Sequence, residues 1–430
     1  MPPETAAASI ETRASWVVAW SITIIMGIAY GAPLMVVVGL APIAEAMGGQ
    51  RGIPALASSL AYLGSGTGGV LMGLLTARLG ARRIAMMGGA TIAVGLALAA
   101  AGGAWQLLLA HAVFIGMFGT GALFAPMVTH ASLFFDRRRG TALALVSSGQ
   151  YVAGTLWPSI FERMIAAWGW QRSMVVFGLC AAAAIVPLAA WALRRMPPTA
   201  LAGSKAAGPP PGQKVLGLPP NLAQGLIAAA SFLCCIPMAM PAAHLVAFCG
   251  DLGIATSRGA LMLSLLLAAA FISRQFWGWV ADRIGGLHAV LIGGVCQTVT
   301  MAGFLATQDE AGLFLVSILY GLGFGGIVPA YVLSIRELFP AAQAHWRVPV
   351  LLLVSLSGMA TGAWLGGALY DAWGSYRGAF AVGIAANLVQ VALVLWLATR
   401  LARGRRATIS RRQSQPDSAE AKPADAGTGV

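Results

Sequence analysis

The chain has 430 residues, 58% of them hydrophobic and only 10% charged, where a soluble domain carries about 25% charged residues. A water-soluble fold is thereby excluded, because most of this chain cannot face water. Its net charge of +13 would suit nucleic acid only if the cations gathered on one solvated patch, and they do not.

Residues 1–15 form a short segment leading into the first of twelve apolar runs. These lie roughly at 16–41, 53–76, 83–101, 106–134, 140–166, 173–193, 222–249, 258–281, 287–306, 311–335, 347–370 and 378–399. Each is long enough to cross a hydrocarbon layer about 30 Å thick. The runs are continuously apolar without alternation, so they predict helices and not a barrel. The first run is too long for a cleavable signal peptide and leads straight into further spans. GSGTGG (64–69) and GMFGTG (116–121) fall inside apolar runs. They read as packing glycines, not phosphate loops, since small residues let helices approach in lipid.

With the N-terminus inside, 21 of the 27 Lys and Arg fall on the inner side. Arg51, Arg163, Arg172, Arg258 and Arg377 lie at or near outer span ends, and Arg274 is left within a span. The excess of cations on cytoplasmic loops therefore predicts a multi-pass protein of the cell inner or plasma membrane with both termini cytoplasmic. The basic charge is topology, and no nucleic-acid partner is expected.

PPTALAGSKAAGPPPGQKVLGLPP (197–220) interrupts the apolar pattern with Pro, Gly and Lys. It predicts a flexible cytoplasmic linker between an N-terminal six-helix bundle (16–196) and a C-terminal one (221–403). Residues 404–430 are polar and lack periodicity, the composition of a disordered cytoplasmic tail. The five cysteines fall within or at the end of apolar spans with no metal-ligand spacing to His. They read as small buried residues, and neither metal nor cofactor is expected. No Ser-His-Asp set or paired acids at one depth occurs, so the chain does not read as an enzyme.

The chain also repeats itself. Shifted by 205 residues, GLLTARLGARRIAMMGG (73–89) lies on GWVADRIGGLHAVLIGG (278–294), and WGWQR (168–172) on WGSYR (373–377). The same shift pairs Gly116 with Gly321, Gly121 with Gly326 and Phe134 with Phe339. A shared offset over four separate spans indicates two parallel halves, the organisation of carriers that rock two bundles around a midplane site.

These residues resemble the major facilitator superfamily. Its hallmark turn between spans 2 and 3, G-x-x-x-D-R-x-G-R-R, stands here as GLLTARLGARR, with Ala77 in place of the usual Asp, and again as GWVADRIG with Asp282. The resemblance implies a gating role for Gly73, Arg78 and Gly80 in the first copy and for Asp282, Arg283 and Gly285 in the second. It implies further that the second copy, which keeps its acid, matters more. Within the superfamily, AYGAPL (29–34), FFDRRRGTALALVSSGQYVAG (134–154) and the Arg of span 8 are similar to the monocarboxylate transporter and oxalate:formate antiporter branch. Two positions depart from the monocarboxylate pattern, Leu34 for a Lys and Ala270 for an Asp. Both are tied to proton coupling in the family, so the resemblance does not carry proton symport across. The oxalate-type second cation of span 11 is missing too, since residues 348–370 hold no Lys or Arg.

Arg274 then carries the reading of substrate. It lies eight residues before Asp282, about 12 Å along a helix rising 1.5 Å per residue. At such depth an unpaired Arg costs about 2.5–3.5 kcal/mol on insertion scales, so it is expected to face a water-filled cavity or a partner. Glu162, Asp251, Asp309, Glu310 and Asp371 all sit near outer ends, and no acid matches its depth. A guanidinium presents a planar fork that fits a carboxylate. One deep cation suits a monoanion, and its counterpart under the 205 shift is Gly69. Tyr30, Gln150, Tyr151, His244 and Tyr331 are further candidates for substrate binding, with Tyr320, Ser355 and Ser357 as weaker ones. Trp157 is either a cavity wall or lipid-facing. His130 and His244 are the candidates for proton coupling.

The expected protein is an all-α membrane protein with twelve transmembrane helices in two pseudo-symmetric bundles. Its expected function is secondary transport of a small organic anion, a monocarboxylate, by alternating access, with a co-transported proton or a counter-transported anion. Export of drugs or other amphipathic compounds is the alternative. That branch usually carries a Gly-Pro pair in span 5, where SGQYVAGTLWPSI has none.

Overall fold

The computed structural model describes residues 11–135, 138–193, 214–340 and 343–413. Most of the expected linker and the tail beyond Gln413 lie outside the described residues. Among the described residues the regular structure is all helix, apart from a single bridge between Val215 and Leu218. Ten helices are long and apolar enough to cross a membrane. One of them, Thr141–Ala192, covers two crossings, because Gly169 turns the chain with φ 76°. With the 28-residue helix Gly52–Leu79, about 42 Å long at 1.5 Å per residue, the architecture agrees with twelve crossings.

In the N-terminal half, α1 (Arg13–Ala29) and α2 (Gly31–Val38) form one crossing interrupted at Tyr30, followed by α3 (Leu40–Ala46). The first turn is fixed by a capping box, in which Thr12 and Ser15 each hydrogen-bond the other's backbone N–H. Next come α4 (Gly52–Leu79), α5 (Ala81–Ala99) and α6 (Ala104–Leu109), which runs into a π-helix over Ala110–Thr120. Short α7 (Gly121–Leu123) and α8 (Ala125–Ser132) complete that crossing, and α9 (Arg139–Ser147) and α10 (Gly149–Ala192) complete the half.

The C-terminal half contains α11 (Pro220–Asp251), α12 (Thr256–Ile284) and α13 (Gly286–Ala306). These are followed by α14 (Glu310–Phe324), α15 (Ile327–Leu338), α16 (Ala344–Trp373) and α17 (Tyr376–Gln413). The last helix continues ten residues past the expected end of the bundle at 403. Residues 214–218, expected within a flexible linker, form a tight turn with Val215 buried and positive φ at Leu216 and Gly217.

The repeat is visible in backbone conformation. Gly80 and Gly285 turn the chain between successive crossings with φ/ψ of 82°/150° and 87°/153°. Two further positive-φ pairs, Gly48 with Gly253 and Gly169 with Gly374, share the 205-residue offset. Packing repeats as well: Gly89 lies against Ile185, and Gly294 against Gln390, its counterpart.

Glycine also sets the helix crossings, as expected of GSGTGG and GMFGTG. A β-carbon at Gly64 or Gly68 of α4 would run into the carbonyl oxygens of Ala112 or Met117 on the π-helix. On α16, Gly358 and Gly362 do the same against the backbone of Phe232 and Ile236 on α11. In lipid, where water does not drive helices together, such close approach is the main source of association.

Candidate functional site

A cavity of about 1820 Å³ lies between the two halves. Its mouth is on the face that carries the α4–α5 turn, where Arg78, Gly80, Arg82 and Arg83 line it. Toward the other face it stops at Val37, Ser58 and Ala243, and nothing between Val37 and Ser58 or between Ala243 and Leu267 lines it. The walls are mainly aliphatic and aromatic.

Arg274 lines this cavity from α12. Its Nε donates to the Gly325 carbonyl at 3.4 Å, and its guanidinium lies 4.7 Å from the ring centroid of Tyr151 on α10. The break between α14 and α15 makes this anchoring possible. Carbonyls near the break accept hydrogen bonds from α12, with Leu322 O receiving Ser273 Oγ at 2.7 Å and Trp277 Nε1 at 2.9 Å. Ser273 and Trp277 fix the neighbouring turns of α12, so Arg274 is aimed by its helix. Among the described residues no carboxylate pairs with it. The stack on Tyr151 contributes about 0.5–2 kcal/mol and joins the two halves through one cation.

Tyr30, Gln150 and Tyr151 line the same cavity. The Tyr30 ring stands edge-on to Phe124 at 6.2 Å, and Tyr62 and Ser65 of α4 line the cavity beside it. Gly69, the counterpart of Arg274, is on the wall too, so the deep positive charge belongs to one half. Ser355 lines the cavity and shares a hydrogen bond with Ser231 at 2.5 Å.

Other candidates are placed elsewhere. Tyr331 is fully buried inside the C-terminal half, where it accepts from Gln390 Nε2 at 3.0 Å. Tyr320 is also buried there and donates to the Pro237 carbonyl at 2.7 Å. Trp157 neither walls the cavity nor faces lipid freely. Its Nε1 donates to Gly27 O at 2.7 Å and its ring stacks on Phe161 at 5.2 Å, which knits α10 to α1. His244 lies just beyond the closed end of the cavity and is fully buried.

Of the turn residues, Gly73, Arg78 and Gly80 line the mouth, whereas Asp282, Arg283 and Gly285 do not. Asp282 is exposed and has no ion-pair partner among the described residues. Arg283 stacks on Trp279 at 3.5 Å. The acid that meets the second turn is Glu337, at the end of α15, whose carboxylate accepts the Gly286 N–H at 3.0 Å.

The closed face is held by a cluster that sequence reasoning missed. Arg51, just before α4, makes a fork of two bonds to Asp251 at 2.6 and 2.5 Å, from the N-terminal half to the end of α11. Its guanidinium lies 3.9 Å from the Tyr370 ring centroid and donates to Tyr376 Oη at 3.1 Å. Asp371, at the end of α16, accepts the backbone N–H groups of Arg51 at 2.9 Å and Gly52 at 2.7 Å. Burial alone would weaken the hold of Arg51 on its proton, but the Asp251 carboxylate and Tyr376 reverse this and raise its pKa. Nearby, Ser59 Oγ donates to Ala360 O at 2.6 Å, another link between the halves. In the sequence Arg51 looks like any loop cation, and nothing marks Asp251 as its partner 200 residues away.

A cavity open to one face, shut at the other and lined by both halves of a repeat suits alternating access. The chain matches the family described as Major Facilitator Superfamily over residues 19–345 and again over 226–426. It is 27% identical to monocarboxylate transporter 13 of Rattus norvegicus over 317 residues, covering 72% of this chain and 71% of that one. It is 23% identical to the MFS-type transporter pynF of Aspergillus niger over 329 residues, 73% of each. Among solved structures, the nucleoside transporter NupG superposes with a TM-score of 0.70 at 12% identity, covering 88% of this chain and 99% of that one.

Proposed function

Because this chain belongs to the Major Facilitator Superfamily, we propose that it moves a small organic anion, a monocarboxylate, across the membrane by alternating access. Arg274 holds the carboxylate. The observation that carries this reading is a cation deep in a two-sided cavity with no carboxylate paired to it among the described residues. Among the described residues its one hydrogen bond to protein runs from Nε and is long, at 3.4 Å, which leaves the Nη groups for a planar, bidentate anion. Tyr151 backs the guanidinium, Tyr30 and Gln150 meet the organic part, and Arg78, Arg82 and Arg83 draw anions to the mouth. With both termini cytoplasmic, that mouth opens to the cytoplasm and the Arg51 cluster closes the outer face. Gly73, Arg78 and Gly80 with Asp282, Arg283 and Gly285 take part in inner gating, with Glu337 as the acid at the second turn. The rat relative named for monocarboxylates points the same way.

The cavity volume favours a second reading. At about 1820 Å³ it exceeds the 300–1,000 Å³ that houses a drug-sized ligand, so export of a larger amphipathic compound also fits.

Counterflow in proteoliposomes tests the proposal, with labelled small carboxylates exchanged by wild type and Arg274→Gln. Truncating one side of a buried charge pair costs about 2 kcal/mol or more, so exchange should weaken at least about 30-fold. Undiminished exchange by a folded variant would remove Arg274 from the site. Wild-type exchange of a bulky neutral amphiphile and of no carboxylate would establish the second reading.

A further inference from the structure

His244 is tied to the outer cluster through a chain of hydrogen bonds whose polarity can be assigned. Its Nε2 lies 2.7 Å from the Ala363 carbonyl oxygen, which can only accept, so Nε2 carries a hydrogen. Its Nδ1 lies 3.1 Å from Tyr376 Oη, and that hydroxyl lies 3.1 Å from Arg51 Nη1, which can only donate. Tyr376 therefore accepts from Arg51 and donates to Nδ1. The donors run Arg51 to Tyr376 to His244 to Ala363, and the imidazole is neutral.

Space has been left for this ring. A β-carbon on Gly366 of α16 would stand 2.5 Å from His244 Cδ2 and 2.6 Å from Nε2, so the imidazole rests on bare backbone. Ala243, the preceding residue, lines the closed end of the cavity with Tyr62 of α4. His244 thus separates the substrate cavity from the outer cluster.

A second proton on Nδ1 would not fit this arrangement. The lone pair that accepts from Tyr376 would become a donor aimed at an oxygen already accepting from Arg51. The hydroxyl hydrogen would have to turn away from both inside a buried space. Around the new imidazolium stand Arg51 from the start of α4, Tyr370 and Asp371 from α16, Tyr376 from α17, and Asp251 at the end of its own helix. Both carboxylates are engaged already, Asp251 by the Arg51 side chain and Asp371 by two backbone N–H groups. A second cation would compete with Arg51 for them.

We propose that His244 is a proton-binding site whose protonation releases Arg51 from Asp251 and Tyr376, so that a proton taken up on Nδ1 opens the outer face. This rests on the alternating-access part of the function above but not on the identity of the anion. Imidazole suits the task because in water its charge changes in the physiological range, so a ring buried neutral while this face is shut gains a proton there once opening lets water reach it.

The test measures opening without substrate. Spin labels placed at Gln50→Cys and Ser257→Cys, both exposed on the closed face on opposite halves, report the distance across it. Cys180→Ala removes the exposed native thiol. Acidification from about pH 7.5 to about pH 5.5 should raise a longer-distance population, by at most about tenfold per pH unit for one linked proton. His244→Gln keeps a donor for Ala363 and an acceptor for Tyr376 without titrating, and should hold the short distance at both pH values. Arg51→Gln should lengthen it at both and shows that the labels see opening. An unchanged acid response in His244→Gln would assign it to the carboxylates and overturn the proposal. So would no acid response in wild type beside a widened Arg51→Gln, or no widening in either. Because no anion is added, failure of carboxylate counterflow leaves this result standing, and the reverse holds too.

Discussion

Asp371 offers a direct measure of how firmly the closed face is shut. Its carboxylate receives the N–H groups of Arg51 at 2.9 Å and Gly52 at 2.7 Å, at the positive end of α4. Asp371→Asn keeps the shape and one carbonyl oxygen but removes the charge and the second acceptor. Hydrogen bonds to charged groups contribute about 1.5–3 kcal/mol each, and neutral ones about 0.5–1.5 kcal/mol. At the lower ends of these ranges, two charged bonds less one neutral bond come to about 2.5 kcal/mol, and because Asp371 is exposed water screens this to about 2 kcal/mol. When this face is open water replaces both bonds, so the whole loss falls on the closed state. The open-to-closed ratio should then rise about 30-fold, since about 1.4 kcal/mol is a factor of ten. Ser58 lines the cavity beside its closed end and is only 4% exposed. Ser58→Cys should react with an impermeant maleimide applied to the Arg51 face about 30 times faster when Asp371→Asn is added. Parent chains labelled in parallel remove the contribution of native thiols. A rate within twofold of the Ser58→Cys parent would mean that Asp371 does not hold the closed state.

Two packing predictions are read from thermal unfolding of purified protein. Gly68→Ala drives a methyl group into the Met117 carbonyl and should cost about 1–3 kcal/mol, typical of overpacking. Gly73→Ala, where nothing lies within 4 Å, should be neutral or stabilising, and equal losses at both sites would discredit the packing argument. Trp157→Phe keeps the stack on Phe161 but leaves the Gly27 carbonyl without its 2.7 Å donor. A loss of about 1–3 kcal/mol is expected, and an unchanged melting temperature would show that the bond contributes nothing net.

The membrane architecture was legible because it rests on composition and length, which survive whatever the tertiary contacts are. The repeat was legible because glycine at a positive φ admits little else, and Gly80 with Gly285 and Gly169 with Gly374 mark the same turns in both halves. Arg274 stood out because a cation deep in an apolar run has few explanations. Tyr331 and His244 were harder, since a polar group in an apolar helix faces a cavity or a buried neighbour with equal ease. Only the partners, Gln390 for one and Tyr376 with Ala363 for the other, decide between these. The Arg51 cluster was illegible for a different reason. It is assembled from four helix ends whose residues look individually like ordinary loop charges and interfacial aromatics. The second turn carries the same lesson, since its glycine hallmark was plain while its acid, Glu337, comes from another helix.

The clasp by Asp371 on two main-chain amides has a further consequence. A helix leaves its first N–H groups without partners of its own, and α4 finds one of its caps on the opposite half of the molecule. Closing this face therefore also completes a helix, and parting the halves strips that end and hands it to water. The amides of Arg51 and Gly52 thus inhabit a protected or a solvated environment according to which way the carrier faces. Their deuterium uptake is a native clock of how often this door opens, with no label attached.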